Sequence, residues 1–165
     1  MQIIAQGENS GVEFKQDELN PEALAKEIVA FANSNGGVIL LGVEDDGRIS
    51  GISNSQIKEE WVSNIVRNNV IPPLQVSSTI VEVAEKKVFL IEVPKGKDKP
   101  YQTNKFQFLI RIGSTNRVAT QAELLRLFQQ SGALHYDKIG IDHTSISSLN
   151  FAKLDSYFNI FEIKF

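Results

Sequence analysis

The 165-residue chain contains no cysteine. Disulfides, thiolate metal sites and cysteine nucleophiles are therefore excluded, and a reducing compartment fits. Histidine is scarce, with His135 and His143 both in the C-terminal stretch. Neither a zinc site nor histidine-based catalysis has support. Ser34, Ser114 and Thr115 thus lack an obvious partner for a nucleophilic triad. No apolar run approaches the ~20 residues a membrane helix needs. The opening MQIIAQGENS has no basic segment before a long apolar core, so no signal peptide is expected. The expectation is a cytoplasmic protein with no membrane partner. Gly96-Lys97 occurs without the rest of a G-x-x-x-x-G-K-[ST] loop, and G-x-G-x-x-G is missing. ATP hydrolysis has no support.

What is present centres on Ala30 to Gly51, AFANSNGGVILLGVEDDGRISG. Asn33-Ser34-Asn35-Gly36-Gly37 should stop a helix, because glycine takes the left-handed conformation common at helix ends. Val38 to Val43 is nearly all apolar and predicts a strand buried on both faces. Gly42 within it marks a close backbone approach. Glu44-Asp45-Asp46-Gly47 carries an Asp-Gly hairpin signal, with Arg48 to Ile52 as a short return strand. Acidic groups would then sit at the C-terminal end of a buried strand, where open sheets bind ligands.

Around this centre the pattern alternates between strands and helices. Val12-Glu13-Phe14-Lys15 predicts a half-buried strand with Val12 and Phe14 inward and Glu13 and Lys15 on the other face. Asn20 caps a helix that Pro21 begins and Glu22 favours, with Leu24, Ile28 and Phe31 facing the core. A second helix, capped by Asn54 or Ser55, carries Ile57, Trp61, Ile65 and Val66 on one stripe and closes at Pro72-Pro73. At that spacing Trp61 reads as core rather than as a base-stacking residue. Val76 to Val83, Lys87 to Val93 and Phe106 to Ile112 predict strands. In the last, Phe106, Phe108 and Ile110 share one face and Arg111 takes the other. Gly113 to Arg117 reads as a polar turn, and Thr120-Gln121-Ala122-Glu123 is a capping box for a third helix. The expected division is a domain over 1–132 and an extension over 133–165. In the extension, Ser148 to Phe158 predicts a short helix and Phe158 to Phe165 a strand.

Two groups of residues could carry chemistry. The net charge of -3 argues against a uniformly basic nucleic-acid binder. Yet Lys86 to Arg117 holds eight basic residues against Glu92 and Asp98. That is either a solvated face or a surface for a polyanion. Glu8, Glu13 and Asp45 could converge if their strands are neighbours, and would then need a cation or protons to hold them. Mg²⁺ or Mn²⁺ suits such oxygen ligands, and Lys15 could meet a phosphate. Spacing alone favours ordinary surface acids.

Four stretches together resemble the Schlafen AlbA-like domain, also called the divergent AAA-type DNA-binding domain. They are Glu8 to Lys15, Ala30 to Gly37, Leu41 to Gly47, and Arg111 to Thr115 with Arg117 and Ala119. The resemblance runs over roughly residues 7 to 130. It implies an α+β fold, a mixed, curved β-sheet packed with about three helices. It also implies a DNA or RNA partner and, for many microbial relatives, a regulatory role. In vertebrate relatives with ribonuclease activity, three acids act with a divalent metal on transfer or ribosomal RNA. Their pattern falls on Glu8, Glu13 and Asp45. Those nucleases pair two lobes, and a homodimer of this chain would rebuild that clamp. The leading expectation is a nucleic-acid-binding domain with Lys95, Lys97, Lys99, Arg111 and Arg117 on phosphates. The alternative is an endoribonuclease using Mg²⁺ or Mn²⁺ on the acidic triad. A third expectation is an assembly domain that dimerises through its tail.

Overall fold

Asn20 caps α2 (Pro21–Asn33) as the sequence predicts, its side chain accepting from the Glu22 backbone N–H. Leu24, Ile28 and Phe31 are fully buried along the inner face of this helix. The chain turns at Gly36, whose φ of +77° glycine adopts without the cost a β-carbon brings. It then enters β2 (Gly37–Leu41). Gly42 has the expected close neighbour: a side-chain carbon there would lie 2.7 Å from the Gly51 backbone.

The computed structural model describes residues 2–53, 55–132, 150, 152 and 153. Two compact units divide the chain, Met1–Ala133 and Leu134–Phe165. The helix predicted from Ser148 and the terminal strand lie outside the described residues, but for the helical 152 and 153. In the first unit, α1 (Gln2–Ala5) and β1 (Val12–Lys15) precede α2 and β2. Then follow α3 (Ser55–Asn69), β3 (Val70–Ile71), β4 (Ser77–Val83) and β5 (Lys86–Val93). The described part closes with β6 (Gln102–Thr103), β7 (Leu109–Ile112), β8 (Thr115–Val118) and α4 (Gln121–Gln130).

The fold is α+β. The main sheet is mixed, in the order β1-β2-β5-β4. β1 runs parallel to β2, with Glu13 opposite Ile39, while β2–β5 and β5–β4 are antiparallel. β2 is central, and both its faces are covered. Ile39 and Leu41 join α2 and α3 in the larger core, which also takes Trp61 at its margin. Leu40 packs with Val12, Phe14 and Val43 on the other side. Among the described residues, no helix is long and apolar enough to cross a membrane.

Three local expectations are corrected. Arg48 to Ile52 forms no strand, and a single bridge links Val43 to Ile49. The strand predicted from Phe106 starts only at Leu109. Phe106 instead has a φ of +60° in a turn and is 76% exposed. The polar stretch after Gly113 is not only a turn, because Thr115–Val118 pairs back on β7 as a hairpin.

Candidate functional site

β1 lies with one face on the second core, so Val12 and Phe14 point inward as the alternation requires. The opposite face is not open. Glu13 is only 6% exposed, and its carboxylate lies between the ammonium of Lys15 and the guanidinium of Arg111, the latter at 2.7 Å. Arg111 comes from β7 and is itself buried. Its Nη2 donates to the carbonyls of Asn9 and Val12 at 2.7 and 2.9 Å, and its Nη1 to Asn116 Oδ1 at 3.3 Å. The Phe31 ring centroid lies 4.6 Å beneath the guanidinium, within cation–π range.

Glu27, on α2, completes this network. It lies 3.7 Å from Arg111 and 3.9 Å from Lys15, and it accepts from Asn116. Burial, aided by the neighbouring Glu13 charge, pushes its carboxyl above the usual range despite Lys15, Asn116 and Arg111. For Lys15, burial acts downward. The Glu13 hydrogen bond and the charges of Glu27, Glu13 and Glu8 outweigh it, so its pKa is raised. Two carboxylates and two cations thus balance one another in a water-poor site, as buried charges must.

A second polar hub forms at the C-terminal end of α2. Asn33 donates to the carbonyls of Tyr101 and Leu109 and accepts from the Tyr101 N–H. Lys99, 4% exposed, donates to the carbonyls of Asn33 and Ser34 at 2.7 and 2.8 Å. A cation there meets the negative end of the helix. Burial and the nearby Lys95 charge bring Lys99 down to about 8.

This hub pins the loop after β5. Gly96 donates to Ala32 O, and any side chain on it would strike the Tyr101 ring. The Asp98 N–H donates to the Tyr101 hydroxyl at 3.3 Å. A side chain at Gly36 would come within 2.7 Å of Lys95 N and Val93 O. With Gly96 facing inward, Lys95 and Lys97 are left exposed on either side of it. Both border a groove of about 780 Å³. Both also border a hollow of about 390 Å³ that reaches Lys99 and Gln130.

The groove opens beside Gly37 and Val93, at the N-terminal end of β2. The sequence pointed to the other end, by the rule for open sheets of parallel strands. Here β5 runs antiparallel to β2, so its C-terminal loop arrives at the start of β2.

A family model described as Schlafen, AlbA_2 matches residues 8–120, well over half of the chain. The chain belongs to the Schlafen AlbA_2 family. This Schlafen AlbA_2 chain is 37% identical over 73 residues to an uncharacterized ATP-binding protein of Ureaplasma parvum serovar 3. The match takes in 41% of this chain and 21% of that protein, so the chain spans about a fifth of that relative's length. The DIP2311 protein from Corynebacterium diphtheriae superposes with a TM-score of 0.59 at 22% identity, over 91% of this chain and 29% of that one. The N-terminal domain of an ATP-dependent DNA helicase RecG-related protein from Nitrosomonas europaea gives 0.58 at 17% identity, over 87% and 95%. These two likenesses show the fold.

The Schlafen AlbA_2 fold separates the residues singled out from the sequence. Glu8 accepts from the Phe14 N–H at 2.9 Å and so serves the backbone of β1. Asp45 is exposed in the turn after β2. Among the described residues, no three His, Cys, Asp or Glu side chains are grouped to hold a metal. With both Glu13 oxygens held by cations, Glu8, Glu13 and Asp45 as arranged do not fit Mg²⁺ or Mn²⁺. Arg111 and Lys99 are turned inward, because the β7 and Tyr101 segments pack on α2. Arg117 is exposed but holds Glu123 through two hydrogen bonds of 2.9 and 2.7 Å. Lys95 and Lys97 stay at the surface. Sequence reasoning missed Glu27 and Asn33. A charged residue within the apolar stretch ALAKEIVAFA was the available signal for Glu27.

Proposed function

We propose that the chain is a nucleic-acid-binding module that holds phosphates on Lys95 and Lys97. The observation that carries the reading is the pinned loop. It presents two exposed ammonium groups on a backbone fixed by Ala32, Gly36 and Tyr101. Such preorganisation lowers the entropy cost of gripping a flexible polyanion. Arg117 adds a contact when a phosphate displaces Glu123. Arg111 and Lys99 hold the scaffold rather than the ligand. One structural neighbour is a helicase-related protein, which points to the same class of partner. In this reading the domain supplies the nucleic-acid contact of a larger cytoplasmic regulator.

Fluorescence anisotropy with labelled transfer RNA and single-stranded DNA, titrated with salt, tests this. Each phosphate contact on a single strand adds about 0.7 to the slope of log affinity against log salt. The Lys95→Ala/Lys97→Ala variant should therefore lose about 1.4 of that slope. No binding at low salt, or an unchanged slope, overturns the reading.

A further inference from the structure

The groove and the hollow share Lys95 and Lys97, so the two lysines form a ridge between two concavities. The groove's other wall is apolar, made by Pro73, Leu74 and Val76. Its rim also carries Glu92 and Asp98. A volume of about 780 Å³ falls within the range of small-ligand sites. The combination is specific in its chemistry. Apolar side chains take the face of a flat ring, cations take phosphate, and carboxylates accept from exocyclic amino groups.

We propose that the groove receives one unpaired base of a single strand, whose backbone crosses the Lys95–Lys97 ridge towards the hollow. This rests on the nucleic-acid reading and adds the form of the ligand to it. The base lies against Leu74 and Val76, and the adjoining phosphate meets the two lysines. Glu92 and Asp98 favour bases that present an amino group. A duplex keeps its bases stacked inside and can use the ridge alone.

The probes are labelled oligo(dC), oligo(dT) and a blunt DNA duplex of equal length, bound to the whole chain by anisotropy. Ser77 lines the groove and is exposed, so Ser77→Trp plugs it with little risk to folding. Leu74→Asn strips the apolar wall as a second variant, and a melting curve accompanies each. The expected results are oligo(dC) tighter than oligo(dT), both tighter than duplex, and about a tenfold loss for oligo(dC) in each variant. The salt slope should stay as in the parent, because the lysines remain. Equal binding of duplex and single strand overturns the inference, as do variants that bind like the parent. Both results leave phosphate binding standing. Absence of any binding by the parent at low salt overturns the underlying reading instead.

Discussion

Replacing Arg111 by methionine distinguishes a structural arginine from a phosphate-binding one. The side chain is 1% exposed, and the side chain of its partner Glu13 is 7% exposed. Removing the guanidinium strands Glu13 and Glu27 with only Lys15 for compensation. It also leaves the Val12 carbonyl without its donor from Arg111. Breaking a buried ion pair by deleting one partner costs about 3–5 kcal/mol. For a unit of this size about 1 kcal/mol moves the melting temperature by roughly 4 °C. Arg111→Met should therefore melt roughly 12–20 °C below the parent by differential scanning fluorimetry. Glu13→Leu added to Arg111→Met should restore part of the loss, because the uncompensated charge next to the cut is gone. The double-mutant cycle should give a coupling of about 0.5–3 kcal/mol. If Arg111→Met melts within about 4 °C of the parent and loses nucleic-acid binding, the burial argument fails. Arg111 would then belong with the phosphate contacts.

Glu27 sets a pH dependence. Its carboxyl is raised above the ordinary 4.5, so the folded state keeps that proton to higher pH than the unfolded state. Stability from this group is full below about 4.5 and is lost as pH rises through the folded value. Glu27→Gln should melt higher than the parent at neutral pH and lose that advantage in acid; an offset independent of pH would refute the assignment. Gly36→Ala should cost at least about 1–2 kcal/mol, since alanine must adopt a left-handed φ and meet Lys95 N. It should also weaken single-strand binding by displacing the lysine loop, and an unchanged melting curve would show that the loop yields freely.

The parts legible in the sequence were those whose cause is local. The Asn20 cap and the Thr120–Glu123 capping box use residues only two and three positions apart, and both are present. The buried β2 strand was legible from composition, because a strand covered on both faces is apolar throughout. The site was less legible, because burial of a charge is decided by distant residues. Glu13 and Arg111 are 98 positions apart, and nothing local to either announces the other. Lys99 reads as one of a row of loop lysines until the α2 carbonyls claim it. Phe106 fitted an alternating strand, yet the turn at Thr103 and Gln107 directs it outward.

The buried arginine also bears on self-association. β1 borders the four-stranded sheet, and an uncovered border strand is a template for further strands. Several of its outward groups are occupied: Phe14 N–H by Glu8, Val12 by Asn9, and the Val12 carbonyl again by Arg111. On the far side β4 is seven residues long and carries neither lysine nor proline. Strand addition at the β1 margin would have to displace the bonds made by Glu8 and Arg111. Glu8 and Arg111 thus do for an edge what a charged side chain or a bulge does elsewhere, occupying groups a foreign strand would need.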